Sequence, residues 1–332
     1  MTEPMGARIR IATTSAAPSV TAIFFEEADH PIDDHDAYVS ALLPLVWARG
    51  WNCTKAIVIR NVDDVEIQVD FVQMRKTAAR TGPRVETRGD CGNSMVAAVL
   101  AVSGETKHLD LRVRNRSTGM VASVRRLGRR ASWELVEADF TDGLAGRRPA
   151  DFVLPVAAEG AGVPVSVLDA MNPYVVVRAA DVGASADMLL ADNPGPALLD
   201  RLGLLRHRVG ALLGGPRDSE FPKAAVACWG PGQRLLGRTI YLDQWHPGLP
   251  LTGGITLALT ALAPGTVLFD GERDHVTVTD GRSGTEAEIA CDASGIRRCL
   301  IRGLQVALLD ELTAPTRRMP DPATERENSW KL

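Results

Sequence analysis

Little of this 332-residue sequence is aromatic: Phe, Trp and Tyr together supply 5%. With few large rings to fill an interior, the core must come from Ala, Val, Ile and Leu, which favours many short strands and tight turns. Positive charge is not in excess either. The 37 Lys and Arg are outnumbered by 41 Asp and Glu, leaving a formal charge of -4. No global field draws in polyanions, which argues against binding to nucleic acid or a membrane surface. No apolar run approaches the ~20 residues of a membrane span, and the opening MTEPMGARIR lacks the charged and apolar regions of a signal peptide. Cys53, Cys91, Cys228, Cys291 and Cys299 are odd in number, widely spaced and form no C-x-x-C pair. That usage fits a reducing, cytoplasmic location better than a disulfide framework. Walker A, G-x-G-x-x-G after a strand, H-E-x-x-H and G-x-S-x-G are all missing, which weakens nucleotide-dependent, zinc-hydrolase and α/β-hydrolase readings. His30, Asp33, Asp34, His35 and Asp36 match no standard ligand spacing and read as a helix cap, so neither a metal nor a cofactor is expected.

What is present divides in two, as the length suggests at roughly 100–200 residues per domain. Short Val/Ile-rich or alternating runs predict strands over Arg8–Thr13, Ala22–Phe25, Lys55–Arg60, Glu66–Gln73, Leu109–Val113 and Val121–Arg125. An N-capped amphipathic run from Asp33 to Ala48 predicts a helix. Gly/Pro-rich sequence over Asp142–Pro164 marks a domain boundary. Beyond it, strands are expected over Val165–Asp169, Tyr174–Arg178, Ala224–Trp229 and Gly237–Asp243. A helix is expected over Pro196–Leu213, and a hairpin-like pair over Val276–Thr279 and Glu286–Cys291. A last helix is expected over Arg297–Leu312, followed by a polar tail from Thr313. Arg125, Arg126, Arg129 and Arg130 bracket Gly128 as a solvated hairpin tip.

Each half contains one segment apolar on every side, Ser94–Val102 and Ile255–Ala263. A helix that is hydrophobic all round must be buried, and about ten residues cannot span a bilayer. Small-residue turns precede both: Gly89-Asp90-Cys91-Gly92-Asn93 and Leu251-Thr252-Gly253-Gly254. Two domains, each a curved sheet around a central helix, satisfy both patterns as a single duplication. The proposed limits are 1–150, completed by 292–315, then 151–291, with a tail at 316–332.

A buried helix start offers free N–H groups and about half a positive charge to a carboxylate or enolate oxygen, although the glycines could serve only to permit tight turns. Cys91 at such a start would have a stabilised thiolate usable as base or nucleophile; a small core thiol is the plainer alternative. Lys55, opening the apolar strand that follows Cys53 and Thr54, could be a partly desolvated acid or base, or could reach solvent from the strand end. Only five of the 37 basic residues are lysine, at 55, 76, 107, 223 and 331, so each stands out. His246, before Pro247, could contact substrate or simply occupy a turn.

In order along the chain, several segments resemble those of the PrpF-type isomerases, a family that includes 2-methylaconitate cis–trans isomerase, 3-methylitaconate isomerase and 4-oxalomesaconate tautomerase. They are Cys53-Thr54-Lys55-Ala56-Ile57-Val58-Ile59, then Arg88-Gly89-Asp90-Cys91-Gly92-Asn93. Asp169-Ala170-Met171-Asn172-Pro173-Tyr174 and Phe221-Pro222-Lys223-Ala224 follow. His246-Pro247-Gly248-Leu249-Pro250-Leu251-Thr252-Gly253-Gly254 and Ala261-Leu262-Ala263-Pro264-Gly265-Thr266-Val267 complete the set. The resemblance implies an α+β, diaminopimelate epimerase-like fold of two pseudo-symmetric domains with the active site between them. It implies Lys55 and Cys91 as the acid/base pair, and substrate contacts from Gly92, Asn93, Ser94, Asn172, Thr252, Gly253 and Gly254. Thr252 stands where epimerases of this fold carry a second cysteine. The reaction implied is a cofactor-independent 1,3-allylic proton shift on an unsaturated di- or tricarboxylate, with a small-molecule carboxylate as the partner and a homodimer compatible. An α-carbon epimerase and a non-catalytic carboxylate binder are the alternatives. The family's N-terminal R-G-G-T-S-K-G loop is replaced here by Ala12–Ser19, and its late H-P-S-G turn by Gly281-Arg282-Ser283-Gly284.

Overall fold

The computed structural model describes residues 6–14, 19–25, 45–51, 53, 55–75, 84–86, 91–103, 109–127, 130–137, 152–155, 162–169, 172–215, 221–241, 244–271, 273–283, 285–292 and 295–315. The Asp33–Asp36 cap lies outside them, and of the helix expected there only residues 45–48 are described, as helix.

In the first half, β1 (Gly6–Thr14), β2 (Ser19–Phe25), β3 (Lys55–Val62), β4 (Glu66–Arg75), β6 (Leu109–Asn115), β7 (Val121–Leu127) and β8 (Arg130–Glu137) form a curved sheet, with the short β5 (Arg84–Glu86) beside β4. Neighbours are antiparallel except β2–β3 and β4–β6. Parallel neighbours need a long crossover, and the one between β4 and β6 carries the helix α1 (Gly92–Ser103) through the middle of the curve.

The second half repeats this plan. It runs through β9 (Phe152–Pro155), β10 (Gly162–Asp169), β11 (Pro173–Arg178), β12 (Lys223–Trp229), β13 (Leu235–Tyr241), β14 (Gln244–Trp245), β15 (His275–Thr279) and β16 (Glu286–Asp292). Again two neighbouring pairs are parallel, β11–β12 and β13–β15. Helices α2 (Ala186–Leu190) and α3 (Pro196–Leu212) fill the first crossover, and α4 (Leu251–Leu262) fills the second. Both central helices are buried: Met95–Ala101 and Leu251–Ala261 carry almost no exposed surface. The apolar-all-round signature was a correct guide to burial.

Two expectations are overturned. The segment expected as a helix over 297–312 is one strand, β17 (Gly295–Pro315). Its first part pairs with β16, its middle with β8 and its last part with β1. It therefore closes the first half into an eight-stranded ring, β1-β2-β3-β4-β6-β7-β8-β17, while extending the sheet of the second. Helix propensity yielded to sheet pairing on both edges. Irregularities between Ile301 and Leu304, and opposite Ile11/Ala12, shift the phase of its inward-facing residues and hide the period of two. Secondly, Arg126 is not at a solvated tip. It is 1% exposed on β7, whereas Arg125 is exposed and bonds Asp110. Among the described residues no helix is long and apolar enough to cross a membrane.

Candidate active site

Cys91 sits at the N-cap of α1. Its carbonyl accepts the N–H of Met95 at 3.0 Å, the first bond of the helix. The Cys91 sulfur accepts from both the backbone N–H and the hydroxyl of Ser94, which is how a capping side chain satisfies a helix start. Burial pushes the thiol up, but Lys55, the Ser94 bonds and Lys223 together outweigh it, and the net shift is downward. Ser94 is in turn held by Thr21, Oγ to Oγ1 at 3.2 Å.

Thr252 does not occupy the equivalent cap. The first bond of α4 runs from the Gly254 N–H to the carbonyl of Pro250, 2.9 Å, so Pro250 is the cap and Thr252 lies two residues inside. By helix position Thr252 matches Asn93. Its hydroxyl meets the buried Tyr174 hydroxyl at 3.1 Å, and desolvation holds that phenol protonated, well above its usual range.

Lys55, Cys91, Gly92, Asn93, Asn172 and Thr252 converge on one partly open cavity between the halves, of ≈ 20 Å³. That is about what one water needs, so a larger ligand enters only as the lining moves apart. Phe71, Gln73, Phe221, Lys223 and Pro250 complete its described lining. Asn93 is 2% exposed, and among the described residues its Oδ1 has no hydrogen-bond partner, a buried acceptor that is costly to leave unpaired. Ser94 is placed behind Cys91 rather than on the cavity. Gly253 and Gly254 are packing positions: a Cβ would come within 2.8 Å of Thr239 Cγ2 at the first and 2.8 Å of Ala287 Cβ at the second.

His246 is half-buried beside this site. Its Nδ1 lies 2.7 Å from the Gly248 carbonyl, which can only accept, so Nδ1 carries the proton. Burial, with Lys55 and Lys223 nearby, brings its pKa down to about 3. Sequence reasoning did not name Phe71, Gln73, Phe221, Lys223, Pro250 or Tyr241 as site residues. For Gln73 and Tyr241 the one signal is the duplication, because they hold matching strand positions and bond each other, Nε2 to OH, at 3.1 Å. Among the described residues no group of three or more His, Cys, Asp or Glu is gathered as for a metal.

Two curved sheets related by duplication, each folded round a buried helix whose start faces a shared cavity, define the diaminopimelate epimerase-like α+β fold. Among solved structures, the chain is similar to a methylitaconate-delta-isomerase, with a TM-score of 0.57 and 18% identity over 92% of this chain and 95% of the other. It is also similar to a hydroxyproline epimerase from Agrobacterium vitis with bound trans-4-hydroxy-L-proline (TM-score 0.62, 10% identity, 97% and 95% covered). A third is a probable proline racemase from Agrobacterium radiobacter with bound carbonate (0.59, 10%, 98% and 96%). No protein-family model matches the sequence, and no curated protein is similar to it.

Proposed function

We propose that the protein is a cofactor-independent isomerase that moves a proton across an allylic system beside a carboxylate, on an unsaturated di- or tricarboxylate. The observation that carries this reading is the pairing of a cap thiol on a buried helix, its titration lowered by Lys55, with a proline at the cap of the opposite helix. A C–H flanked by a carboxylate and a double bond is weakly acidic, and its removal leaves an extended enolate. The Cys91 thiolate takes that proton, and the Lys55 ammonium, beside it, supplies one to the far carbon. The start of α1 offers N–H groups to the developing negative charge without rearrangement. Asn93, Asn172 and Thr252, on the cavity wall, would hold the substrate.

The alternative is epimerisation at an α-carbon, favoured by the fold similarity to the racemase and the epimerase. A two-base epimerase wants a second proton carrier facing Cys91. Pro250 cannot be one, and the Thr252 hydroxyl is engaged by Tyr174. Retention of both Lys55 and Cys91 argues against a protein that only binds carboxylates.

Proton NMR in D2O with aconitate-, itaconate- and oxalomesaconate-like acids, and with proline and 4-hydroxyproline, separates these readings. Allylic exchange in the unsaturated acids, lost in Cys91→Ala, is expected. Exchange confined to an amino-acid α-proton would put epimerisation in its place, and no exchange at all would sink both.

A further inference from the structure

Lys223 is the duplicate of Lys55. Each is the first residue of its strand, β3 or β12. Lys55 stands opposite Thr21 across a parallel pair, and Lys223 stands opposite Tyr174 in the same way. Thr21 bonds Ser94 behind the start of α1, and Tyr174 bonds Thr252 at the start of α4. Gln73 lies one step beyond the Ala56–Val72 pair, and Tyr241 one step beyond the Ala224–Ile240 pair. Their mutual bond therefore lies on the pseudo-dyad. The Lys223 ammonium is held over the rings of Phe221 and Tyr241, 5.4 and 5.8 Å from their centroids, cation–π contacts that fix its direction. It lines the same cavity as Lys55, and its charge is felt at both Cys91 and His246, as that of Lys55 is.

We propose that Lys223 is the specificity-determining residue that anchors a second carboxylate of the substrate at the α4 side of the cavity, so that the site selects dicarboxylates over monocarboxylates. The idea rests on the isomerase reading for its substrate class and adds a division of labour. One lysine stands beside the thiol that handles protons; its twin, across the dyad, has no thiol at the neighbouring cap and is left to hold charge. A pocket with two ammonium groups about a dyad is matched by a ligand with an anion at each end.

The test reads binding apart from turnover. Alkylation of Cys91 by iodoacetamide is followed by peptide mass spectrometry, with and without glutarate or butyrate. Wild type and Lys223→Met are compared, each as its own protected-to-unprotected ratio, because removing the charge also changes the reactivity of the thiol. Glutarate should protect wild type, and Lys223→Met should need roughly ten- to a hundredfold more, the loss of one charge-assisted bond. Butyrate protection should be the same in both proteins, which also shows the variant to be folded, and Lys223→Arg should recover most of the glutarate effect. Equal glutarate protection in wild type and Lys223→Met, or none in wild type, overturns the proposal. Protection that depends on Lys223 without any D2O exchange would instead remove the isomerase reading and leave the dicarboxylate site. Exchange whose KM ignores Lys223 would do the reverse.

Discussion

Cys91 is pulled in opposite directions by burial and by its neighbours, and the neighbours prevail. Its rate of alkylation should therefore rise with pH around a midpoint below the ordinary 9.0. Lys55→Met should move that midpoint upward, because the largest of the stabilising influences is removed. Unchanged midpoints in a stopped-flow alkylation series would contradict the account. His246 gives a second titration of known sign. Its folded pKa is about 3 against an ordinary 6.5, so below 6.5 the unfolded chain binds the extra proton. The stability contributed by the neutral ring is complete above pH 6.5 and drains away as pH falls toward 3. Urea midpoints measured over that span should fall less steeply for His246→Asn than for wild type. Lys55 and Cys91 were legible because each sits at the mouth of an apolar element, where a polar residue is conspicuous. Gln73 and Tyr241 were not, since their bond spans the two halves and nothing local marks either residue. Lys223 stood between: it was visible as Lys-Ala-Ala-Val, an echo of Lys-Ala-Ile-Val in the other half, but only once the duplication is taken literally.

The two central helices announced themselves through composition alone, because an all-apolar run of that length has nowhere to go but inside. Their closeness to the surrounding sheet was less apparent. Gly254 allows α4 to approach β16 so nearly that an added Cβ would reach 2.8 Å from Ala287 Cβ. Gly237 on β13 makes the same concession to Leu257. Gly254→Val should cost about 1–3 kcal/mol through overpacking, read as a lower denaturant midpoint. Pairing it with Ala287→Gly should return part of the loss, whereas strictly additive effects would show that the two positions do not touch. Strand β17 was the element that sequence reasoning mistook. Leu300, Leu304 and Leu308 recur at helical spacing, and only pairing with three separate strands decides the matter.

Over the whole molecule, two copies of one topology share a single last strand. Ending the chain at Arg302 would leave the β16 pairing nearly whole while removing every partner of β1 from that strand. The second half should then retain more hydrogen-exchange protection than the first, and uniform loss would show that the halves unfold as one unit. The duplication could be read from the two buried helices, and the sequence also predicts that 292–315 completes the first half. That this segment is a strand extending the second sheet as well could not be read, because a strand belonging to both copies has no counterpart to compare it with. During synthesis the order of events follows from this. Strands β1–β8 leave the ribosome early, yet their ring stays open until residues 300–315 arrive, about half a chain after β8. The first half must wait, edges unpaired, for a piece that emerges after the second half is nearly complete. A nascent chain stalled before β17 is therefore the species most exposed to edge-to-edge pairing with its neighbours.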